Sequence, residues 1–149
     1  MTVQGTARAT IQAPPEVVWP WIAHLDKHPD YSPKPYRVEL VSGAPGAVGS
    51  IYKSVGAIPG DKNHENSVEV TESVPHSRFA LRAEDKLGVF TNSYDLRPVD
   101  GGTEVTHTLV FPKMSGLPGV MAPLLFPIIG QRDIDKRMAL LKTKVESAS

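Results

Sequence analysis

Between Tyr36 and Pro112 six strand-like segments follow one another with only short, breaker-rich runs between them. YRVELVSG leads through the turn APGAVG into SIYKSVGA, and NSVEVTESV alternates with Val68 and Val70 on one side. SRFALRAEDK and GVFTNSYDLRPV meet near Lys86–Gly88, and VDGGTEV signals a hairpin into GTEVTHTLVFP. Parallel strands need crossovers of a dozen or more residues, so connections this short allow only an antiparallel meander. Such a sheet must have one face covered. A single segment is long enough to do this. From Asp133 onward, Ile134, Met138, Leu141 and Val145 recur at a spacing of three to four residues, the pattern of an amphipathic helix.

The N-terminal part completes the plan. Residues 3–12 alternate around Ala7, Ala9 and Ile11, as a half-buried strand does, and this strand is expected at one edge of the meander. APPEVVWPWIAHL follows, with Pro14 or Pro15 suited to the first helical position and Glu16 to the positive end of the helix dipole. Val18, Ile22 and Leu25 share a face with Trp21 beside it, and Pro20 predicts a short or bent helix. DKHPDYSP reads as a second short helical turn ended by Pro33. Trp19 and Trp21 cannot share a helix face, so one is expected in the core and the other nearer the surface or a pocket mouth. The fold class is therefore α+β, one domain over residues 1–149, with seven strands, two short helices and a long C-terminal helix. A bent sheet around one helix leaves room for a hollow between them.

Composition narrows the function. Sixteen basic residues balance sixteen acidic ones, and no Lys/Arg cluster interleaves with aromatics, so no nucleic-acid partner is expected. The absence of cysteine excludes disulfides, thiolate metal sites and a Cys nucleophile. The N-terminus lacks a basic segment followed by an apolar run, which leaves the cytoplasm as the expected compartment. LPGVMAPLLFPIIG, from Leu117, is uncharged but broken by Pro118, Pro123 and Pro127, too short and interrupted to span a membrane. It is apolar on nearly every side and so needs a second contact surface. It is expected to close one end of the hollow, with Leu124, Leu125 and Ile128 in its lining. Transient membrane contact is compatible with this stretch.

Strand parity picks out the other candidates. Phe90, Asn92, Tyr94 and Leu96 share one face, as do Val105, His107, Leu109 and Phe111. If these faces look inward, Asn92 and His107 stand among apolar neighbours and must bond each other, water or a ligand. Tyr52 and Ser54 add two hydroxyls. The expected ligand-binding set is Tyr52, Ser54, Phe90, Asn92, Tyr94, His107, Leu109 and Phe111, together with the three residues of the apolar stretch. No catalytic residue is assigned, and His107 and Tyr52 are the candidates for moving a proton. His24 and His28 are spaced as a helical metal pair would be, but no third ligand is evident, so no metal and no cofactor are expected and both are read as surface residues. His64 falls in GDKNHEN, read as a hydrated lid loop, and RDIDKR is read as a solvated helix face with an Asp133–Arg137 pair. GAPGAVG lacks the phosphate-cradle pattern and is a turn.

IQAPPEVVWPWIAHLDKHPDYSP also resembles the opening of the helix-grip superfamily, which includes START lipid-transfer domains, proteins of the birch-pollen-allergen type and bacterial polyketide cyclase/dehydrase-like proteins. The resemblance rests on Ala13-Pro14, Val18-Trp19, Leu25-Asp26 and Tyr31, then on Gly49 opening a strand, VEVTES, and GGTEVTHTL before the last helix. It covers nearly the whole chain. It implies a curved seven-stranded sheet gripping the C-terminal helix around a cavity. Three functions are compatible with it: a carrier or sensor for a lipid, polyketide or similar ring compound; an aromatase/cyclase-like enzyme with His107 or Tyr52 as proton shuttle; or an interaction module using residues 117–129.

Overall fold

The computed structural model describes residues 3–58, 60–86, 88–114 and 130–148. Strand β1 (Val3–Ile11) leads into helix α1 (Pro15–Ala23) and a 3-10 helix (Leu25–Tyr31). Strands β2 (Tyr36–Ser42), β3 (Ile51–Ile58), β4 (Asp61–Val74), β5 (Arg78–Asp85), β6 (Gly88–Val99) and β7 (Gly102–Met114) follow, then helix α2 (Gln131–Ala148). The sheet runs β1-β7-β6-β5-β4-β3-β2, and every described neighbouring pair is antiparallel. The meander is as expected, and β1 joins it beside β7.

Period-two alternation selects the inner face. Val68, Val70, Phe79, Leu81, Tyr94, Leu96, Val105 and His107 are all buried there. Register shifts between Leu40 and Ser42, Gly56 and Ile58, Val70 and Glu72, and Val89 and Thr91 bend the strands and help curve the sheet. Helix α2 lays Ile134, Met138, Leu141 and Val145 into the concavity, all buried. Each such side chain contributes roughly 1.5–3 kcal/mol by leaving water. Polar contacts strap α2 along β1. Lys142 Nζ donates to the Thr10 carbonyl at 2.7 Å, Gln131 Nε2 to that of Thr6 at 2.9 Å, and the Gln12 N–H to Glu146 Oε2 at 2.8 Å.

The β6–β7 turn explains its paired glycines. Gly101 has φ +82°, which L side chains rarely adopt, while a Cβ on Gly102 would meet the Ile11 carbonyl oxygen at 2.0 Å. Only glycine lets β7 start against the end of β1. Next to it, the buried Thr103 hydroxyl donates to the Ala13 carbonyl at 2.7 Å. Helix α1 is short, as Pro20 requires, with Pro15 in its first turn.

Three expectations need correction. GDKNHEN is not a lid loop: β3 and β4 run on as a hairpin, pairing Gly56 with His64 and Ser54 with Asn66. The polarity of this segment reflects inward residues facing a hollow rather than a filled core. The two tryptophans do not divide into core and surface. Both are half-buried and packed against the core, Trp19 edge-on to Phe79 at 6.0 Å and Trp21 under the Lys27 ammonium at 4.8 Å. Neither is among the residues that line the cavity described below. Finally, His28 is buried rather than on the surface, although His24 is exposed as expected.

Candidate functional site

A cavity of about 320 Å³ lies between the concave face of the sheet, the 3-10 helix with the chain that follows it, and the first turns of α2. Ser54, Phe90, Asn92 and Tyr94 line it, as do His107, Leu109 and Phe111. Those seven of the expected site residues are thus brought together. Tyr52 is not. It is buried beyond the cavity, where its hydroxyl accepts the Gly46 N–H at 2.9 Å and closes the β2–β3 turn onto the core. Leu124, Leu125 and Ile128 lie outside the described residues.

Asn92 and His107 occupy diagonal positions on β6 and β7, since Asn92 pairs with Leu109 and Tyr94 with His107. His107 Nε2 donates to Asn92 Oδ1 at 2.8 Å, and the Tyr94 ring stacks on the imidazole at 4.4 Å with an interplanar angle of 2°. Burial foremost, with the positive charge of Arg137 and the nearness of His28, pulls the His107 pKa down to about 3. The ring is therefore neutral at pH 7. With its proton on Nε2, the buried Nδ1 is an acceptor that has no hydrogen-bond partner. A ring held neutral in this way is a weak proton acceptor near neutrality. Burial likewise pushes the Tyr94 hydroxyl up to about 12.

Three further side chains reach the cavity from positions read from sequence as solvated. His28 donates from Nε2 to the Ile22 carbonyl at 2.7 Å and packs against Tyr31 at 5.3 Å and Tyr94 at 5.8 Å. Burial lowers its pKa to about 4. The usable signal was Leu25, His28 and Tyr31, all buried and three apart, the repeat of a 3-10 helix. His64 hydrogen-bonds through Nε2 to Asp85 Oδ2 at 2.7 Å, and its Nδ1 lies 3.6 Å from Asp61 Oδ2. Asp85 Oδ1 accepts the Gly88 N–H at 3.1 Å, which fixes the carboxylate. Parity with Val68 and Val70 would have turned His64 and Asn66 inward, and the buried Oδ1 of Asn66 has no hydrogen-bond partner. Arg137 also lines the cavity. It falls between Ile134 and Leu141 at i+3 and i+4 spacing, so it borders the buried stripe rather than opposing it. No ion pair joins it to Asp133, contrary to the solvated-face reading, although both line the cavity.

The two depressed histidines carry a stability consequence. Their unfolded-state pKa is about 6.5, against about 4 for His28 and about 3 for His107 in the fold. Below 6.5 the unfolded chain binds more protons than the folded one, so acid favours unfolding. The contribution is fully present above 6.5 and is lost as pH falls towards 3. In that window each untitrated histidine removes about 1.4 kcal/mol per pH unit. Urea midpoints should fall steadily between pH 6 and pH 4, and His28→Gln should flatten that slope.

A curved antiparallel sheet around a C-terminal helix, with a cavity between them, defines the helix-grip class. Within it, the chain belongs to the family described as polyketide cyclase / dehydrase and lipid transport, whose sequence pattern matches residues 2–146. No curated protein sequence matches the chain. Among solved structures it is similar to TTHA0849 from Thermus thermophilus, with 20% identity over 99% of each chain and a TM-score of 0.77. It is also similar to the Zhui aromatase/cyclase from Streptomyces sp. R1128, with 15% identity over 98% of this chain and 94% of that one and a TM-score of 0.78. Ara h 8.0201 gives 16% identity over 99% of each chain and a TM-score of 0.70. At such identities the likeness establishes the fold and nothing finer. Among the described residues no helix is long and apolar enough to cross a membrane, and no group of three His, Asp or Glu could hold a metal.

Proposed function

We propose that the protein binds a small hydrophobic ligand bearing polar substituents, such as a lipid, polyketide or similar ring compound, as a carrier or sensor. The observation that carries this reading is a cavity of about 320 Å³ whose wall sets Phe90, Leu109 and Phe111 beside buried polar groups. Ligand sites are hollows of roughly this size or larger, mostly apolar with a few fixed polar atoms. Two of those atoms, His107 Nδ1 and Asn66 Oδ1, are acceptors without a protein donor. A buried acceptor left unpaired costs on the order of 1–3 kcal/mol. A ligand hydroxyl supplies the missing donor. The family's description, with its mention of lipid transport, supports the same reading.

A second reading, cyclase-like catalysis, has its own observation. His64 lines the cavity and is held at 2.7 Å by a fixed carboxylate, Asp85, the arrangement of a proton-transfer base and its orienting group. In this reading His64 takes the place first considered for His107 and Tyr52. It abstracts the α-proton of a bound polyketone, the carbanion adds to a second carbonyl, the proton on His64 passes to the alkoxide so formed, and loss of water as the α-carbon gives up its second proton completes the aldol condensation. The similarity to an aromatase/cyclase supports it.

One pair of measurements separates the two. Native mass spectrometry of freshly purified protein should reveal a co-purified apolar molecule, and His107→Ala should reduce its retention. A carrier keeps that molecule chemically unchanged, with or without His64. A cyclase converts a synthetic polyketone, and His64→Ala abolishes turnover while leaving binding intact. An empty cavity that also refuses added apolar ligands would refute both readings.

A further inference from the structure

We infer that the ligand carries a single anionic group, in the simplest case a carboxylate, and that Arg137 holds it; this builds on the binding role proposed above. Arg137 projects from α2 into the cavity and is half-buried there. Its surroundings are hydroxyls and rings. It lies near Tyr36, Tyr31 and Tyr94, and approaches Ser32 Oγ at 3.5 Å, the long limit of a hydrogen bond.

Three arginines of the sheet are neutralised. Arg78 pairs with Asp95 and Glu72, Arg82 with Glu84, and Arg97 with Glu104. No carboxylate pairs with Arg137 among the described residues. Asp133, one turn earlier on α2, shares the cavity without bridging to it. Residues 115–129 contain no Asp or Glu, so that stretch cannot supply a counter-charge either.

A guanidinium presents five donors in a planar fork that matches a carboxylate edge to edge. Here the fork's hydrogen bond to Ser32 Oγ is long, at 3.5 Å, which leaves donors for a ligand. Partial removal from water strengthens its pull on an anion relative to an exposed arginine. Its field is already felt on the cavity wall, where it is one of the causes that lower the His28 and His107 pKa values. The same field opposes a cationic ligand. The fitting molecule has a ring or short chain against Phe90, Leu109 and Phe111, and one acid group at the α2 side.

The test uses isothermal titration calorimetry on the whole chain with 2-naphthoate and its neutral isostere 2-naphthamide. Wild type should prefer the carboxylate roughly tenfold or more, the range of a charge-assisted hydrogen bond. Arg137→Gln should erase the preference by weakening naphthoate binding while leaving naphthamide unchanged. Arg137→Lys, which keeps the charge but loses the fork, should retain only part of it. A melting curve checks that each variant folds, and the wild-type comparison decides the question even if Arg137→Gln does not. Equal affinity for the two probes in wild type, or a preference for the amide, overturns the anion site and leaves the cavity reading standing. No binding of either probe overturns both.

Discussion

Ala83→Trp should abolish ligand uptake while the protein stays folded. Ala83 is buried on β5 and faces the cavity, where its row on the sheet continues to Phe90 on one side and Val68 on the other. In a filled core an indole at this position would cost about 1–3 kcal/mol or more through overpacking. Here it projects into about 320 Å³ of open space and occupies the volume a ligand ring would use. Affinity for any apolar probe should fall by about a hundredfold or more, an energetic loss of ~3 kcal/mol. Calorimetry reads the binding, and circular dichroism melting reads the fold. If Ala83→Trp binds as wild type does, ligands enter somewhere other than this hollow.

The second large effect runs the other way, on stability rather than binding. Phe79→Ala should destabilise the fold by about 3–5 kcal/mol. Phe79 is fully buried on β5 and pairs across the sheet with Tyr94, and Trp19 meets its ring edge-on at 6.0 Å. It does not line the cavity, so nothing there can relax to fill the void. Domains are typically stable by ~5–15 kcal/mol, so this one change removes a large share. The urea midpoint should drop with an unchanged m-value. Ligand affinity measured well below that midpoint should be that of wild type, which distinguishes the core beneath α1 from the hollow beside α2.

Much of this layout was legible in the residue order. Alternation and turn signals located seven strands, though the first half of β4 was read as a loop, and the 134–145 stripe located the helix that fills the concavity. The inward aim of Asn92 and His107 followed from the same parity. What misled was polarity. His64 and Asn66 stand in a run of charged and amide residues, and such runs are usually solvated. Their orientation is set by register with β3, a long-range property that no window on β4 contains. Arg137 was hidden by Asp133, because an i,i+4 opposite-charge pair is the commoner arrangement on an exposed helix. Tyr52 shared the inward parity of Ser54 but lies further along β3, under the Gly46 turn, and parity says nothing about depth along a strand. The Thr103 latch and the Gly102 approach to Ile11 join residues about ninety positions apart.

That separation has a kinetic side. Among the described residues strand β1 pairs with β7 alone, with Val3 opposite Phe111 and Ile11 opposite Thr103, so the first of these seven strands to be made pairs with the last of them. Closing so long a loop before any pairing rewards it slows the search. The local hairpins from β2 to β7 can zip in sequence, whereas the seam between β1 and β7, which also seats α2, must await nearly the whole sheet. Until then β1 is an unpaired edge exposed to other nascent chains, and chaperone demand in the cell should centre on it.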